Sequence, residues 1–199
     1  MTPAESGLLL VLDASSGGEV AVLRDGVVLA SRSATERMGL AGALPGMMQA
    51  VLEGLVPDCV AVCIGPGSFT GLRAALSLAQ GYAMAAGCPL VPVTLAEAFA
   101  ATLPDGPAVW TVLETGRGHL FLDRGEGFVA IAVAEVAMPE GPVRLAGDAA
   151  AVLAGRSAVD TGVRRPAMAA FGRVAARRLA GELAPLEALP LYVDPPATT

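Results

Sequence analysis

The 199-residue sequence contains no lysine and no asparagine, and it has a single histidine, His119. The absence of lysine excludes Schiff-base chemistry, a lysine general base and the phosphate-binding lysine of a P-loop. A zinc enzyme needs several nitrogen, sulfur or carboxylate ligands close together, and one histidine without an H-x-x-x-H pair cannot supply them. The sequence therefore predicts no metal site.

Charge and cysteine content narrow the class of protein further. A net charge of −6 argues against general nucleic-acid binding over the whole surface. The three cysteines, Cys59, Cys63 and Cys88, form no C-x-x-C pair, which predicts free buried thiols in a reducing compartment. Glycine and proline interrupt the uncharged run at 74–96, and the N-terminus lacks the basic start and apolar core of a signal peptide. We therefore expect a cytoplasmic protein with no membrane partner.

The predicted fold is organised around residues 59–86. The apolar run at 59–64 predicts a buried strand, and apolar residues recur at helical spacing from Leu72 to Ala86. A glycine-rich turn joins them, and Ser68 or Thr70 can cap the helix. The spacing fits neither a Walker motif nor a dinucleotide fingerprint. Two interpretations of the turn therefore stay open, a structural corner and a contact with a ligand. The residues of this turn are Gly65, Gly67, Ser68, Thr70 and Gly71.

The segment before this stretch predicts three strands in a meander, at 8–13, 19–24 and 27–31, with a hairpin turn at Asp25-Gly26. The first strand ends in Asp13-Ala14-Ser15, where Asp13 can either cap a turn or approach a phosphate group. Helical regions at 36–55, 72–86 and 94–101 and strands at 59–64 and 89–93 complete the order β-β-β-α-β-α-β-α. The lobe closes near Leu103, and residues 104–107 form a linker.

The turn Gly65-Pro66-Gly67-Ser68-Phe69-Thr70-Gly71-Leu72-Arg73 resembles the signature of the TsaB (YeaZ) family, bacterial relatives of the actin-like ATPases that serve threonylcarbamoylation of tRNA. Residues 8–103 resemble the family throughout, and 108–122 and 189–196 do so in part. The family usually has threonine at Ala14 and histidine-serine at Met38-Gly39. The resemblance implies an α/β fold of the actin-like ATPase (ribonuclease H-like) type, with a complete N-terminal lobe at 1–103 and an abridged C-terminal lobe at 104–199.

The resemblance also implies a function. Proteins of this family are non-catalytic scaffolds that bind and activate a TsaD-type transferase, with a TsaE-type ATPase as a further partner, and they meet tRNA only through the complex. No catalytic residue and no required cofactor are implied, although Asp13 and Ser15 stand where superfamily members contact nucleotide, so residual ATP or ADP binding is left open. The alternative is a nucleotide-binding or nucleotide-hydrolysing enzyme, or a glycoprotease-like peptidase. An ATPase needs several phosphate and metal ligands, and Asp13 and Ser15 are the only candidates in the first lobe.

Two helices carry the implied partner surface. In TsaB proteins, two helices of the first lobe pack against the equivalent helices of TsaD as a four-helix bundle, and here they correspond to 40–52 and 72–86. An isologous pairing of the same surface would give a homodimer when the partner is absent. Ordinary core packing is the competing interpretation, because a helix that is apolar all round is usually buried. The residues predicted to face the partner are Leu40, Leu44, Met47, Val51, Ala75 and Ala79.

The region from Arg156 to Arg178 has six arginines against a single acidic residue, Asp160. Such a region can form a basic patch that contacts tRNA phosphates. It can equally be the solvated face of a helix. Both interpretations are compatible with the sequence.

Overall fold

The computed structural model describes residues 7–34, 39–115, 118–138, 140–155 and 157–193. Met38 and Arg156, which figured in the sequence predictions, lie outside these ranges. The chain forms two compact units. The first consists of Met1–Thr94 with Met168–Leu191, and the second of Leu95–Ala167 with Tyr192–Thr199.

The first unit is built on a five-stranded sheet. Its strands are β1 (Leu8–Asp13), β2 (Gly18–Arg24), β3 (Val27–Ala34), β4 (Cys59–Gly65) and β5 (Leu90–Thr94), in the spatial order β3-β2-β1-β4-β5. The first three strands are antiparallel, as the hairpin signals predict, and β4 and β5 run parallel to β1. Strand β4 is buried at every position, which explains why its sequence is apolar without alternation.

Helices cover both faces of this sheet. Helices α1 (Leu40–Leu52) and α2 (Phe69–Ala86) pack over the face that carries Leu10 and Val60. Side chains alternate along a strand, so Leu9 and Leu23 point to the other face. There a helix from the end of the chain, Met168–Leu179, packs so closely that a Cβ on Gly172 would lie 3.2 Å from both leucine side chains.

The second unit repeats the same strand arrangement. It contains β6 (Val109–Glu114), β7 (His119–Asp123), β8 (Phe128–Ala132), β9 (Val143–Ala146) and β10 (Ala158–Asp160), in the order β10-β9-β6-β7-β8. Helix α3 (Leu95–Thr102) packs against β6. Where the first unit has α1 and α2, the described residues of this unit form a 3₁₀ turn, Val133–Glu135, and the four-residue helix α4 (Ala150–Leu153). The second lobe is abridged in its helices, and its sheet is complete.

The predicted lobe boundaries, 1–103 and 104–199, need correction at two helices. Helix α3 belongs to the second unit, and the helix Met168–Leu179, α5, belongs to the first. Buried Phe171 and Val174 give α5 an apolar face that the first sheet covers. Periodicity predicts such a face, but it cannot show which sheet the face will meet.

Within the described part of the chain, no helix has the length and apolarity that a membrane crossing requires.

Candidate functional site

The turn between β4 and α2 lies against the turn that follows β1. The Ser68 N–H donates to the Ser15 carbonyl oxygen at 2.7 Å. The Ser68 hydroxyl in turn accepts the Gly71 N–H at 3.3 Å, so Ser68 is the N-cap of α2. Thr70 lies inside the first turn of the helix and is exposed. Ser68 therefore both starts the helix and fastens it to the end of β1.

Protein atoms occupy the space beside each glycine of this turn. A Cβ on Gly67 would lie 2.6 Å from the Ser15 Cα, and a Cβ on Gly71 would overlap the Ala14 carbonyl oxygen. Gly65 has φ of 109°, a conformation that favours glycine. The close approach that these glycines allow is an approach of one stretch of backbone to another.

Asp13 and Ser15 lie at this junction, where contacts within the protein surround their polar groups. One Asp13 carboxylate oxygen accepts the Ser15 N–H at 2.9 Å and so holds the turn after β1. Ser15 is 3% exposed, and its hydroxyl makes no hydrogen bond within the described residues. A phosphate group needs donors that it can reach, and an enclosed hydroxyl does not meet that requirement. As placed here, the Ser15 hydroxyl is no such donor, and the nucleotide contact at Asp13 and Ser15 stays a prediction.

Burial keeps the two thiols of β4 protonated. Burial, together with the nearby Asp13 carboxylate, raises the pKa of the Cys63 thiol well above its ordinary range. Burial, followed by the effects of Cys88 and Asp58, raises the pKa of Cys59 to about 12. All three cysteines are free, and Cys59 and Cys63 are buried, as predicted, whereas Cys88 is half-buried. The two thiols on β4 are unreactive because the thiolate is the nucleophile.

The residues predicted to face a partner do not face outward. Met47 is half-buried against the core, and the other five are buried between the helices and the sheet. The predicted outward orientation is therefore wrong for these five, and the core-packing interpretation is correct for them. Spacing gives the width of an apolar stripe, but one sequence does not give the rotation of the helix about its axis. The corrected residues are Leu40, Leu44, Val51, Ala75 and Ala79.

A different set of residues forms the exposed side of α1 and α2, which we call the outer helix surface. Met84 is its most exposed large side chain, at 79%. The 13 residues of α1 include no charged side chain, and the 18 residues of α2 include only Arg73. Once the buried positions are known, helical spacing identifies this set. The outer helix surface consists of Pro45, Gly46, Gln49, Arg73, Ser77, Gln80, Gly81 and Met84.

Several arginines in the basic region make contacts within the protein. Arg164 forms a bidentate pair with Asp160 at 2.6 and 2.7 Å, and this hydrogen bonding lowers the pKa of the Asp160 carboxyl to about 2. Arg177 pairs with Glu182 at 3.0 Å. Arg178 donates to the Pro92 carbonyl oxygen at 2.5 Å. These contacts favour a structural use of the region, and the predicted tRNA contact stays a prediction.

The fold defines the class of protein. Two α/β units with the same five-stranded order form the actin-like ATPase (ribonuclease H-like) type of fold that was predicted. Among the described residues, no group of three or more His, Cys, Asp or Glu side chains could hold a metal ion.

Comparison with known proteins then identifies the family. The sequence profile of TsaD, tRNA N6-adenosine threonylcarbamoyltransferase, matches residues 44–144, and the chain belongs to this family. YeaZ from Pseudomonas aeruginosa is 24% identical, with a TM-score of 0.73 over 93% of this chain and 99% of that one. A second solved structure, described as an uncharacterized protein with similarity to peptidase YeaZ from Pseudomonas aeruginosa, is 23% identical, with a TM-score of 0.73 over 94% of this chain and 99% of that one. No curated protein matches the sequence. The chain has the YeaZ-like (TsaB-like) fold that the resemblance predicted.

Proposed function

We propose that this chain is a non-catalytic scaffold subunit. It binds a TsaD-type transferase and activates it in the threonylcarbamoylation of the adenosine next to the tRNA anticodon. A TsaE-type ATPase joins the complex, and the chain acts on tRNA only as part of this complex. The chain itself requires no cofactor. The proposed setting is the cytoplasm.

The observation that carries the proposal is the closed junction at Asp13 and Ser15. These are the positions at which catalytic superfamily members contact nucleotide, and here the backbone at Gly67 and Gly71 packs against residues 14 and 15. The Ser15 hydroxyl is enclosed by protein. Membership of the TsaD family and the YeaZ-like fold support a role in tRNA modification.

The outer helix surface is the proposed contact with the transferase. The cores of protein–protein interfaces are depleted of charge and enriched in methionine and aromatic side chains. The exposed sides of these two helices carry one charged residue, Arg73, and so fit the depletion of charge. Met84 offers a flexible apolar side chain, which adapts well to a facing helix.

A pull-down with the TsaD-type paralogue from the same source tests the binding step. We expect Met84→Arg to keep its circular dichroism spectrum, because position 84 is exposed, and to lose the complex, because the interface would bury an unpaired charge. The matched control is Val152→Arg, an exposed valine of the second unit that should bind normally. Normal binding by Met84→Arg would place the interface elsewhere.

A reconstituted tRNA modification assay tests activation. Adding the chain should raise the rate of the transferase, whereas the chain alone should show no peptidase activity and negligible ATP turnover. An isolated chain that hydrolyses ATP at about one per second or faster would favour the enzyme alternative.

A further inference from the structure

A pocket of about 320 Å³ opens in the first unit, on the sheet face that α5 covers. One wall is α5, and the facing wall is formed by the start of β1, the end of β2 and the Asp25-Gly26 turn that follows β2. Its volume lies within the range of about 300–1,000 Å³ in which proteins bind small molecules. We call it the α5 pocket, and its side chains that can contact a ligand are those of Leu9, Leu23, Asp25, Arg173, Ala176 and Arg177.

The floor of the α5 pocket is apolar. Leu9 and Leu23 are paired across β1 and β2, and both are buried. Gly172 lets α5 lie close to them, since a Cβ there would be 3.2 Å from each leucine side chain. Ala176 follows one turn later on the same side of α5, and its single methyl group leaves the pocket open. A ligand in the pocket therefore meets an aliphatic surface.

Charges of opposite sign lie on the two walls. Arg173 and Arg177 are one turn apart on α5, whereas Asp25 belongs to the facing turn, and all three are exposed. Arg177 pairs with Glu182 at 3.0 Å, but both side chains are more than half exposed, and a surface pair of this kind is weak enough to be displaced by a ligand. Asp25 forms no ion pair within the described part of the chain. The pocket therefore has cationic groups on one side and a carboxylate on the other.

We propose that the α5 pocket binds an apolar α-amino acid as the zwitterion. The arginines bind the carboxylate, for which the guanidinium fork is suited, and Asp25 accepts hydrogen bonds from the ammonium group. The aliphatic side chain of the ligand lies over Leu9 and Leu23. A ligand with a negative group alone would be repelled by Asp25, and one with a positive group alone would be repelled by the arginines. A ligand that carries both charges complements both walls.

Binding at this pocket is weak, because its charged groups are exposed and salt screens them, so we expect a Kd on the order of 1 mM. The pocket lies on the opposite face of the sheet from α1 and α2, which carry the outer helix surface. The inference goes beyond the proposed function, and either can fail without the other.

NMR titration of the ¹⁵N-labelled chain with four small molecules tests the proposal. L-leucine carries both charges and an aliphatic side chain, whereas N-acetyl-leucine lacks the ammonium group, leucinamide lacks the carboxylate, and glycine lacks the side chain. We expect leucine to shift the amide signals of Gly26 and Gly172, which line the two walls. Each of the other three molecules should bind about tenfold more weakly, because each lacks one of the three contacts.

Two variants locate the ligand. Asp25→Asn suits the turn, because asparagine tolerates the φ of 53° at this position. It should weaken the binding of leucine about tenfold and leave that of N-acetyl-leucine unchanged. Ala176→Phe should fill the pocket and abolish binding, with wild-type circular dichroism as the check on folding. The matched control is Arg32→Gln, which removes an exposed arginine from β3 and should bind leucine like wild type.

The inference is overturned if leucine leaves the amide signals of Gly26 and Gly172 unchanged. Equal binding of leucine and either N-acetyl-leucine or leucinamide would show that the two walls do not recognise the two charges. Should Asp25→Asn bind leucine like wild type, the ammonium group does not meet Asp25 and the assignment is wrong, whether or not Ala176→Phe folds.

Discussion

Gly71→Ala tests whether the turn before α2 is a structural junction. The added methyl group would overlap the Ala14 carbonyl oxygen and lie 3.3 Å from the Ser68 side chain. The first of these neighbours is backbone in the turn after β1, so no change of rotamer relieves it. Gly81 provides a matched control in the same helix, because a Cβ there would have no atom within 4 Å.

The expected magnitudes follow from two opposing effects. Alanine in place of glycine stabilises a helix by about 1 kcal/mol. Overpacking costs about 1–3 kcal/mol, and a clash with backbone belongs at the upper end of that range. Gly71→Ala should therefore lower the free energy of unfolding by about 2 kcal/mol, whereas Gly81→Ala should raise it by about 1 kcal/mol. For a chain of this size, Tm falls by about 4–8 °C in the first variant and rises by about 2–4 °C in the second.

Thermal melting followed by circular dichroism measures both variants under one condition, and urea unfolding checks the free energies. The contrast between the two alanines is the decisive quantity, because helix propensity contributes equally to both. If Gly71→Ala melts at or above the temperature of Gly81→Ala, the steric argument is wrong. A Gly71 variant that melts like wild type and fails in tRNA modification would instead show that the turn is a functional contact.

Three further predictions concern buried groups. Ala79→Arg should cost about 4 kcal/mol or more and abolish cooperative melting, because position 79 is fully buried, and a soluble variant with the wild-type Tm would contradict this. Asp13→Ala should lower the free energy of unfolding by about 1 kcal/mol, because the Ser15 N–H loses its acceptor. Reconstituted tRNA modification should stay within several-fold of wild type. A large loss of modification at unchanged Tm would oppose the scaffold role. Burial raises the pKa of the Asp123 carboxyl, although the carboxylate accepts a hydrogen bond from the Gly125 N–H. The charged carboxylate therefore lowers the free energy of unfolding by its full amount above the folded pKa. This loss disappears as pH falls below the unfolded pKa of about 3.9. We therefore expect the Tm of wild type, relative to that of Asp123→Asn, to be higher at pH 4 than at pH 7. A relative Tm that is higher at pH 7 would refute this expectation.

The elements of the first unit were predictable because their signals are local. The glycine turn between the apolar run at 59–64 and Leu72 predicts a strand followed by a helix, and the structure has β4 and α2 there. Asp25-Gly26 predicts a hairpin turn, and β2 and β3 flank this turn as an antiparallel pair. In these segments the residues that determine the structure are neighbours in sequence.

The rotation of α1 and α2 was not predictable, because it depends on distant residues. Ala75 and Ala79 are small, and small side chains suit either a close helix–helix contact or a close helix–sheet contact. The structure uses them against the sheet, beside Val60 and Val62. The candidate site shows the same division. The sequence indicates Asp13 and Ser15 as candidate residues. The enclosure of Ser15, however, depends on a turn some fifty residues later in the chain.

The assignment of α5 to the first unit has a consequence for how the chain acquires its structure. During synthesis, β1 to β5 are complete long before Met168 emerges, so the sheet face that carries Leu9 and Leu23 has no helix to cover it. Contacts between the two ends of a chain form slowly, because a long loop must close before they contribute. An isolated fragment 1–103 should therefore expose an apolar sheet face and aggregate, although its strands are all present. Folding of the first unit waits for α5, the last helix of the described chain, so the first unit cannot be complete before the helices and strands of the second have been synthesised.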